Sequence, residues 1–417
     1  MSKILVLAYM ISPYRGSEYS VAWNYVKYMS QDHELVVLYG TSDEHLGDMQ
    51  SMEEWLQHNH MQNVRFIGVT PNRLSNLLNL LNRCNILVYT FYLAYRLWHR
   101  QVYSTAKKLV KNEHFDLIHY VGPIGYREPG YLWKLPLPYV WGPIGGFNNV
   151  PAKMMKALPI AGKFKLGFRS VLNTIQMYTN RRISNAIKRT DILMTCSSVN
   201  QNAVYRIYGR DSICVPENCI IELYGLVNPE KFKEKKMKLV WIGRVDANKA
   251  LNILIEALIK LPDKTSVELH VVGEGPLRES LMQYCQNSKL VNVIKWHGRI
   301  SRQEVLQVLR TSHFHVVTSV SEGNPTTIWE AMSVGVPTIT VDHCGMHDVI
   351  CEHCGIKIPV TCYGEIVYKL SKAINELITN RERWKLLAEG TIECSLQYTW
   401  DKRRELLNSL YDKLLNK

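Results

Sequence analysis

The sequence predicts an α/β protein of two doubly wound domains, each a parallel sheet with helices on both faces. Three observations predict it. From residue 238 to residue 358 strand, turn and helix alternate without interruption. The strand candidates in both halves are continuous apolar runs, as strands covered on both faces require. The chain, at 417 residues, is long enough for two cores of ordinary size.

Residues 3–9 (KILVLAY) form the first such run. A lysine before apolar residues imitates a leader peptide, but the run is short, no small-residue cleavage site follows and a polar helix start does, so it reads as a strand. The loop Ser12-Pro13-Tyr14-Arg15-Gly16-Ser17-Glu18 comes next, then a helix through Val21, Ala22, Val26 and Met29. Strands are expected at 34–39 and 64–69. Between 73 and 98, Leu74, Leu77, Leu78 and Leu81 recur at i, i+3, i+4 and i+7 ahead of an aromatic-rich run. Core packing is the first reading of that stripe; membrane contact is the alternative, kept open by Arg83, Arg96, His99 and Arg100.

Residues 116–121 (DLIHYV) form a buried strand carrying His119. Two similar segments follow, Gly122-Pro123-Ile124-Gly125 and Gly142-Pro143-Ile144-Gly145-Gly146, and glycine at a strand end lets a ligand approach the backbone. Residues 191–196 read as the last strand of the first domain, and the polar segment 212–238 contains the crossing. We place the domains at 1–205 and 206–397, with a final helix in 398–417. In the second domain, strands at 238–243, 267–272, 293–296 and 313–318 each run into a polar turn and a helix. Leu251, Leu254, Ile255 and Leu258 mark the first of those helices, and Ser301-Arg302-Gln303-Glu304 is a capping box.

The net charge is +13, and residues 1–200 hold 22 Lys and Arg against 12 Asp and Glu. Nine basic side chains and one acidic lie between 151 and 200, among them Lys163, Lys165 and Arg169. Such a segment suits an anionic lipid surface or a diphosphate-linked acceptor. Nucleic acid is disfavoured, because no zinc-finger spacing, helix-turn-helix or RNA-binding aromatic signature accompanies the charge. The ten cysteines are scattered and read as reduced thiols of a cytoplasmic protein. No run reaches the roughly 20 apolar residues that span a bilayer.

The chemistry gathers at 319–337, SVSEGNPTTIWEAMSVGVP. A strand leads into a polar loop, Pro325 opens a helix, and Gly335 and Pro337 close it. The first-turn amides at Thr326 and Thr327 suit a phosphate at the positive end of the helix dipole. Glu322 precedes that anion site and Glu330 lies about a turn inside the helix, so two hydroxyl-seeking carboxylates flank it, a layout that fits a sugar nucleotide. Arg244 and Lys249 in G-R-V-D-A-N-K-A leave a strand end, one a fork and one a point charge for a diphosphate.

Glu322 and Glu330, separated by seven residues and followed by Ala-Met-x-x-Gly-x-Pro, resemble the signature of the retaining GT-B glycosyltransferases, family four. Gly243-Arg244-x4-Lys249 resembles that family's phosphate-binding pair, with Ala250 where glycine is commoner; Gly16 matches the second glycine of its first loop, with Arg15 in place of the first. His119 matches the first histidine of its His-x-His pattern, with Val121 in place of the second. The resemblance implies two Rossmann-like domains, the helix in 398–417 crossing back to pack on the first, and a nucleoside-diphosphate sugar held mainly by the second. Glu330 would receive the ribose, Glu322 the transferred sugar, and Asn324, Pro325, Thr326 and Thr327 the phosphate. Gly273 and Gly275, with Gly298, Arg299 and Ile300, would lie near the base, and His119 near the acceptor. It further implies front-face displacement with retention, needing no metal and no cofactor beyond the donor. The expected acceptor is a lipid-linked or surface polysaccharide precursor on the cytoplasmic face of an anionic membrane. A soluble sugar or metabolite acceptor is the alternative, and a non-catalytic sugar-nucleotide-binding or scaffold protein a third reading. His343, Cys344, His347, Cys351, His353 and Cys354 form a crowded rival constellation, which we read as structural.

Overall fold

A computed structural model of the chain describes residues 1–16, 18–40, 49–84, 86–87, 90–225 and 229–416. Ser17 of the first loop, residues 85, 88 and 89 of the apolar run, residues 226–228 of the expected crossing and Lys417 lie outside the described residues.

The first sheet contains β1 (Lys3–Ala8), β2 (Glu34–Gly40), β3 (Val64–Val69), β4 (Leu117–Gly122), β5 (Tyr139–Ile144), β6 (Ile192–Thr195) and β7 (Ile213–Cys214). The second contains β8 (Met237–Ile242), β9 (Val267–Val272), β10 (Ile294–Gly298), β11 (Phe314–Val317), β12 (Thr338–Asp342) and β13 (Gly355–Pro359). Their orders are β3-β2-β1-β4-β5-β6-β7 and β10-β9-β8-β11-β12-β13, with every described pairing parallel. Both are doubly wound sheets. In each, successive strands first step one way and then return past the starting strand, so the chain order reverses between β1 and β4 and between β8 and β11. The loops leaving the carboxyl ends of those two strands diverge, and a ligand crevice forms there.

The chain divides into two compact units, the first made of Met1–Phe147, Ile175–Glu217 and Trp400–Lys417, the second of Asn148–Thr174 and Asn218–Thr399. Packing explains the interleaving. Met154, Ala157, Leu158 and Leu166 are buried in the same core as Leu239, Trp241, Leu254 and Leu269 of the second unit. The helix Trp400–Leu415 lies in the first unit, where Tyr411 bonds Tyr25 at 2.8 Å, Asn408 bonds His33 at 2.8 Å, and Trp400 stacks on Tyr28.

Several expectations need correction. The strand at 191–196 is not the last of its sheet, since β7 adds two residues beside Met194 and Thr195; a two-residue strand leaves no apolar run to read. Of the leucine stripe only Leu78 packs against the core. In the helix Arg73–Arg83 the inward side chains are Ser75, Asn79 and Asn82, the two asparagines bonded to each other at 3.0 Å, while Leu74 and Leu77 are 54% and 64% exposed. His99, in contrast, is buried among Tyr95, Trp98 and Tyr120 and adds nothing to a surface.

Three buried histidines set an acid limit on stability. Burial penalises the imidazolium and pushes His119 and His313 down to about 4 and His315 down to about 3. The unfolded chain takes these protons near the ordinary pKa of about 6.5. Between 6.5 and the folded values it binds more protons than the native state, so stability falls as pH falls through that window. At pH 5 each histidine costs on the order of 2 kcal/mol. The urea midpoint is expected to drop steeply between pH 7 and pH 5, and His315→Asn to flatten that dependence; a pH-independent midpoint over this range would refute the assignment.

Candidate active site

The reversal point of the second sheet is built by two loops stitched together. After β8, the Asp246 carboxylate accepts the backbone N–H groups of Asn248 and Lys249, both at 3.0 Å, which fixes an Asx turn and aims the Lys249 side chain. The loop after β11 then bonds to this turn at three points. Val320 N–H donates to the Asn248 carbonyl at 2.8 Å, the Asn248 amide to the Ser321 carbonyl at 2.9 Å, and the Thr318 hydroxyl to the Lys249 carbonyl at 2.8 Å. The outcome is an ion pair between residues 73 apart in sequence: Lys249 Nζ lies 2.7 and 2.6 Å from the two Glu322 oxygens, both side chains about one fifth exposed.

Arg244 leaves the same strand end with its side chain 73% exposed, its Nε 3.8 Å from Asp246. Glu322 is followed by buried Asn324 and by the helix Thr326–Ser333, whose N-cap is Pro325 with no side-chain cap. Pro325 therefore sits one residue before the helix rather than inside it, and the first-turn amides at Thr326 and Thr327 lie beyond the reach of intrahelical carbonyls. Glu330, on that helix, is largely buried with Arg302 Nε at 3.4 Å. Burial raises its carboxyl above the ordinary range, and the Arg302 charge opposes the rise. Ser301 and Glu304 form the expected capping box, which holds the helix bearing Arg302.

The glycines serve close backbone approach. A Cβ on Gly273, at φ +128°, would lie 1.9 Å from the Gly243 carbonyl oxygen, and one on Gly275 2.4 Å from that of Val245. Gly273 N–H donates to Gly298, itself at φ +67°, so the ends of β8, β9 and β10 converge; Arg299 is exposed and Ile300 half-buried just beyond. Sequence reasoning missed the bracing partners. His343 is bonded through Nε2 to the Ser319 carbonyl at 2.7 Å, and Gly345 N–H donates to Gly323 at 3.0 Å, so the segment after β12 holds the Glu322 loop from behind. Nothing in the spacing of those residues announces the contact; of all the partners only Asp246-x-Asn248 carried a turn signal.

The first unit treats its two candidates differently. Gly16 lies in the loop after β1, where an added Cβ meets none of the described residues within 4 Å. His119 is 1% exposed, with Nδ1 2.5 Å from the Tyr411 hydroxyl and 3.1 Å from that of Tyr25, which bond each other as well, and Nε2 donating to the Gly142 carbonyl at 2.9 Å. Both ring nitrogens are thus committed to tying β4 to β5 and to the helix Trp400–Leu415. His119 is a packing residue in these contacts, and the acceptor role the sequence suggested finds no free nitrogen here. The Cys/His segment separates into parts: His347 bonds Asp342, while Cys351 and Cys354 join Cys394, the three sulfurs within 4.8 Å of one another. Among the described residues no other group of three or more His, Cys, Asp or Glu side chains brings its ligand atoms this close together.

Residues 226–391 match the family model of glycosyl transferases group 1. TuaC of Bacillus subtilis, a glycosyltransferase named for teichuronic acid biosynthesis, is 26% identical over 304 residues, 69% of this chain and 68% of the relative. AmsK of Erwinia amylovora, a glycosyltransferase of amylovoran biosynthesis, is 26% identical over 154 residues, 34% of this chain and 37% of its own. Among solved structures, Anabaena HepE in complex with UDP and glucose superposes with a TM-score of 0.66 at 16% identity, covering 99% of this chain and 100% of that one. The matched segment 226–391 contains Arg244, Lys249, Glu322 and Glu330, so the likeness to glycosyl transferases group 1 falls on the site described above, and HepE shares the fold.

Proposed function

We propose that this chain transfers a sugar, with retention of anomeric configuration, from a nucleoside-diphosphate sugar to a lipid-linked precursor of a surface polysaccharide. The observation that carries this reading is the Lys249–Glu322 pair at the reversal point of the second sheet, next to a helix N-terminus. The donor diphosphate competes for Lys249 and is met also by exposed Arg244 and the first-turn amides at Thr326 and Thr327. Glu322, released from Lys249, then accepts from hydroxyls of the transferred sugar, and Glu330 from the ribose. Gly273, Gly275 and Gly298 let the nucleotide approach the backbone. As the bond from the anomeric carbon to the diphosphate breaks, the acceptor oxygen bonds that carbon from the same face and its proton passes to the departing phosphate. Fixed positive charge stabilises the leaving group throughout. The reading assigns the step to protein cations and amides, without a metal or cofactor.

Two features support a membrane-bound acceptor. The helix Ile160–Thr179 presents Ile160, Phe164, Phe168, Val171, Ile175 and Tyr178, all at least 52% exposed, at spacings of four, four, three, four and three. Lys163, Lys165 and Arg169 flank this stripe, the arrangement of a helix that lies in an anionic interface. The exposed leucines of Arg73–Arg83 add a second apolar face. No described helix is long and apolar enough to cross a membrane. TuaC and AmsK carry names of polysaccharide pathways and HepE was solved with UDP and glucose, which favours polysaccharide synthesis from a nucleotide-sugar donor here. We place the work on the cytoplasmic side, where sugar nucleotides are supplied.

The test is a transfer assay with a panel of nucleoside-diphosphate sugars and a lipid-diphosphate-linked sugar in anionic vesicles. One donor is expected to be consumed much faster with acceptor than without, giving a product whose anomeric configuration, read by NMR, equals that of the donor. Inversion would overturn the mechanism, and no consumption of any donor would favour a binding protein. In the same vesicles, reversing Lys163, Lys165 and Arg169 to glutamate removes at least about 1 kcal/mol each, so flotation is expected to weaken on the order of 100-fold; unchanged flotation would return the acceptor to solution.

A further inference from the structure

Cys351, Cys354 and Cys394 form a thiol cluster outside the site described above. Cys351 Sγ lies 3.5 Å from Cys354 Sγ and 3.4 Å from Cys394 Sγ. Tetrahedral zinc with bonds of about 2.3 Å spaces its sulfurs at about 3.8 Å, so a small outward shift accommodates the ion, whereas a disulfide at about 2.05 Å would need a large inward one and would leave a third thiol over. The cluster is also built. Cys351 and Cys354 occupy the turn between the helix Cys344–Val349 and β13, with Cys351 N–H donating to the Cys354 sulfur at 3.2 Å, the kind of amide contact that supports a thiolate ligand. Cys394 is brought to that turn by the helix Arg381–Ser395. Gly390 passes so close that a Cβ there would lie 2.2 Å from the His353 carbonyl oxygen, and the Thr391 hydroxyl donates to the Cys354 carbonyl at 3.3 Å.

We propose that these three thiols bind one zinc ion in a structural role. Each thiol releases its proton on binding, giving a site of net charge −1, and water fills the fourth position, since the cluster of mutually close ligand atoms ends at three among the described residues. The ion braces the catalytic helix from behind. Cys354 packs in one small core with Ile328, Trp329 and Met332, the inward face of the helix that carries Glu330. Zinc therefore ties the end of Arg381–Ser395 to the turn that backs the donor helix.

The full chain, stripped with chelator under reductant, is titrated with zinc alone and with cobalt alone. Expected are one zinc per chain by native mass spectrometry, a raised melting temperature, and a cobalt form with thiolate-to-cobalt charge-transfer absorption of three-thiolate intensity and tetrahedral d–d bands. Half-buried Cys394 is the informative position: Cys394→Ser is expected to weaken zinc by at least roughly 100-fold, the top of the range that even a supporting partner costs, while Cys362→Ser, at an exposed thiol outside the cluster, leaves it unchanged. Cobalt spectra without charge transfer, zinc uptake equal in Cys394→Ser, or a Cys351–Cys354 disulfide in freshly isolated protein would each overturn the proposal. The cobalt spectrum of the unaltered chain stands even if a variant fails to fold.

Discussion

Lys249→Ala is expected to lower kcat/KM for sugar transfer on the order of 1,000-fold, the scale seen when one preorganised donor to developing negative charge is removed. Two effects combine. The departing diphosphate loses a cation, and Glu322, now without its partner 2.6 Å away, turns an uncompensated carboxylate toward the phosphates it should admit. Because Lys249 and Glu322 are each about one fifth exposed, water can solvate the orphaned acid, and the fold should survive the change. Steady-state kinetics with the donor found in the panel assay, beside a melting curve, checks this. A loss below tenfold in a protein of unaltered melting temperature would remove Lys249 from the step. Arg244→Ala, at a far more exposed position, is expected to cost less.

Gly273→Ala is expected to destabilise the second unit by roughly 3–5 kcal/mol, combining a strained backbone region with overpacking. The added methyl would fall 1.9 Å from the Gly243 oxygen, a backbone atom that cannot rotate away, at a φ of +128° that side chains avoid. The displacement would push the end of β8 and with it Arg244, so donor binding should fail along with stability. Gly16→Ala is the matching control: its Cβ meets none of the described residues within 4 Å, and a change within about 0.5 kcal/mol is expected. Urea denaturation of both variants decides the matter, and equal midpoints would show that the convergence of β8, β9 and β10 tolerates more room than described.

The second sheet was legible because its strands are unbroken apolar runs and its chemistry sits in short contiguous motifs at their ends. β9 falls on the residues the run predicted, and Arg244, Lys249, Glu322 and Glu330 all sit on the two strand-turn-helix units that flank the reversal point. What joins them was not legible. The Asn248–Val320 bond joins two backbone groups, and the Asn248 side chain finds in Ser321 a backbone carbonyl, which every residue possesses, so no side-chain pattern marks the partner. The leucine stripe failed for a different reason. Periodicity tells which residues share a face of a helix but not what that face meets, and here Asn79 and Asn82 face inward, joined by one hydrogen bond. Cys394 escaped notice because only tertiary packing through Gly390 carries it to a pair 40 residues earlier. β5 was hard to see since Gly142 and Pro143 interrupt a strand whose register shifts at that point.

The interleaving of the two units orders events during synthesis. Every residue of the second unit has been made once Thr399 is added, whereas the first still awaits the helix Trp400–Leu415 and its contacts from Tyr411 to Tyr25 and His119. On the ribosome, then, the half of the molecule begun earliest is finished last, and the Tyr411 hydroxyl that seals it arrives only after its neighbour has had the chance to close.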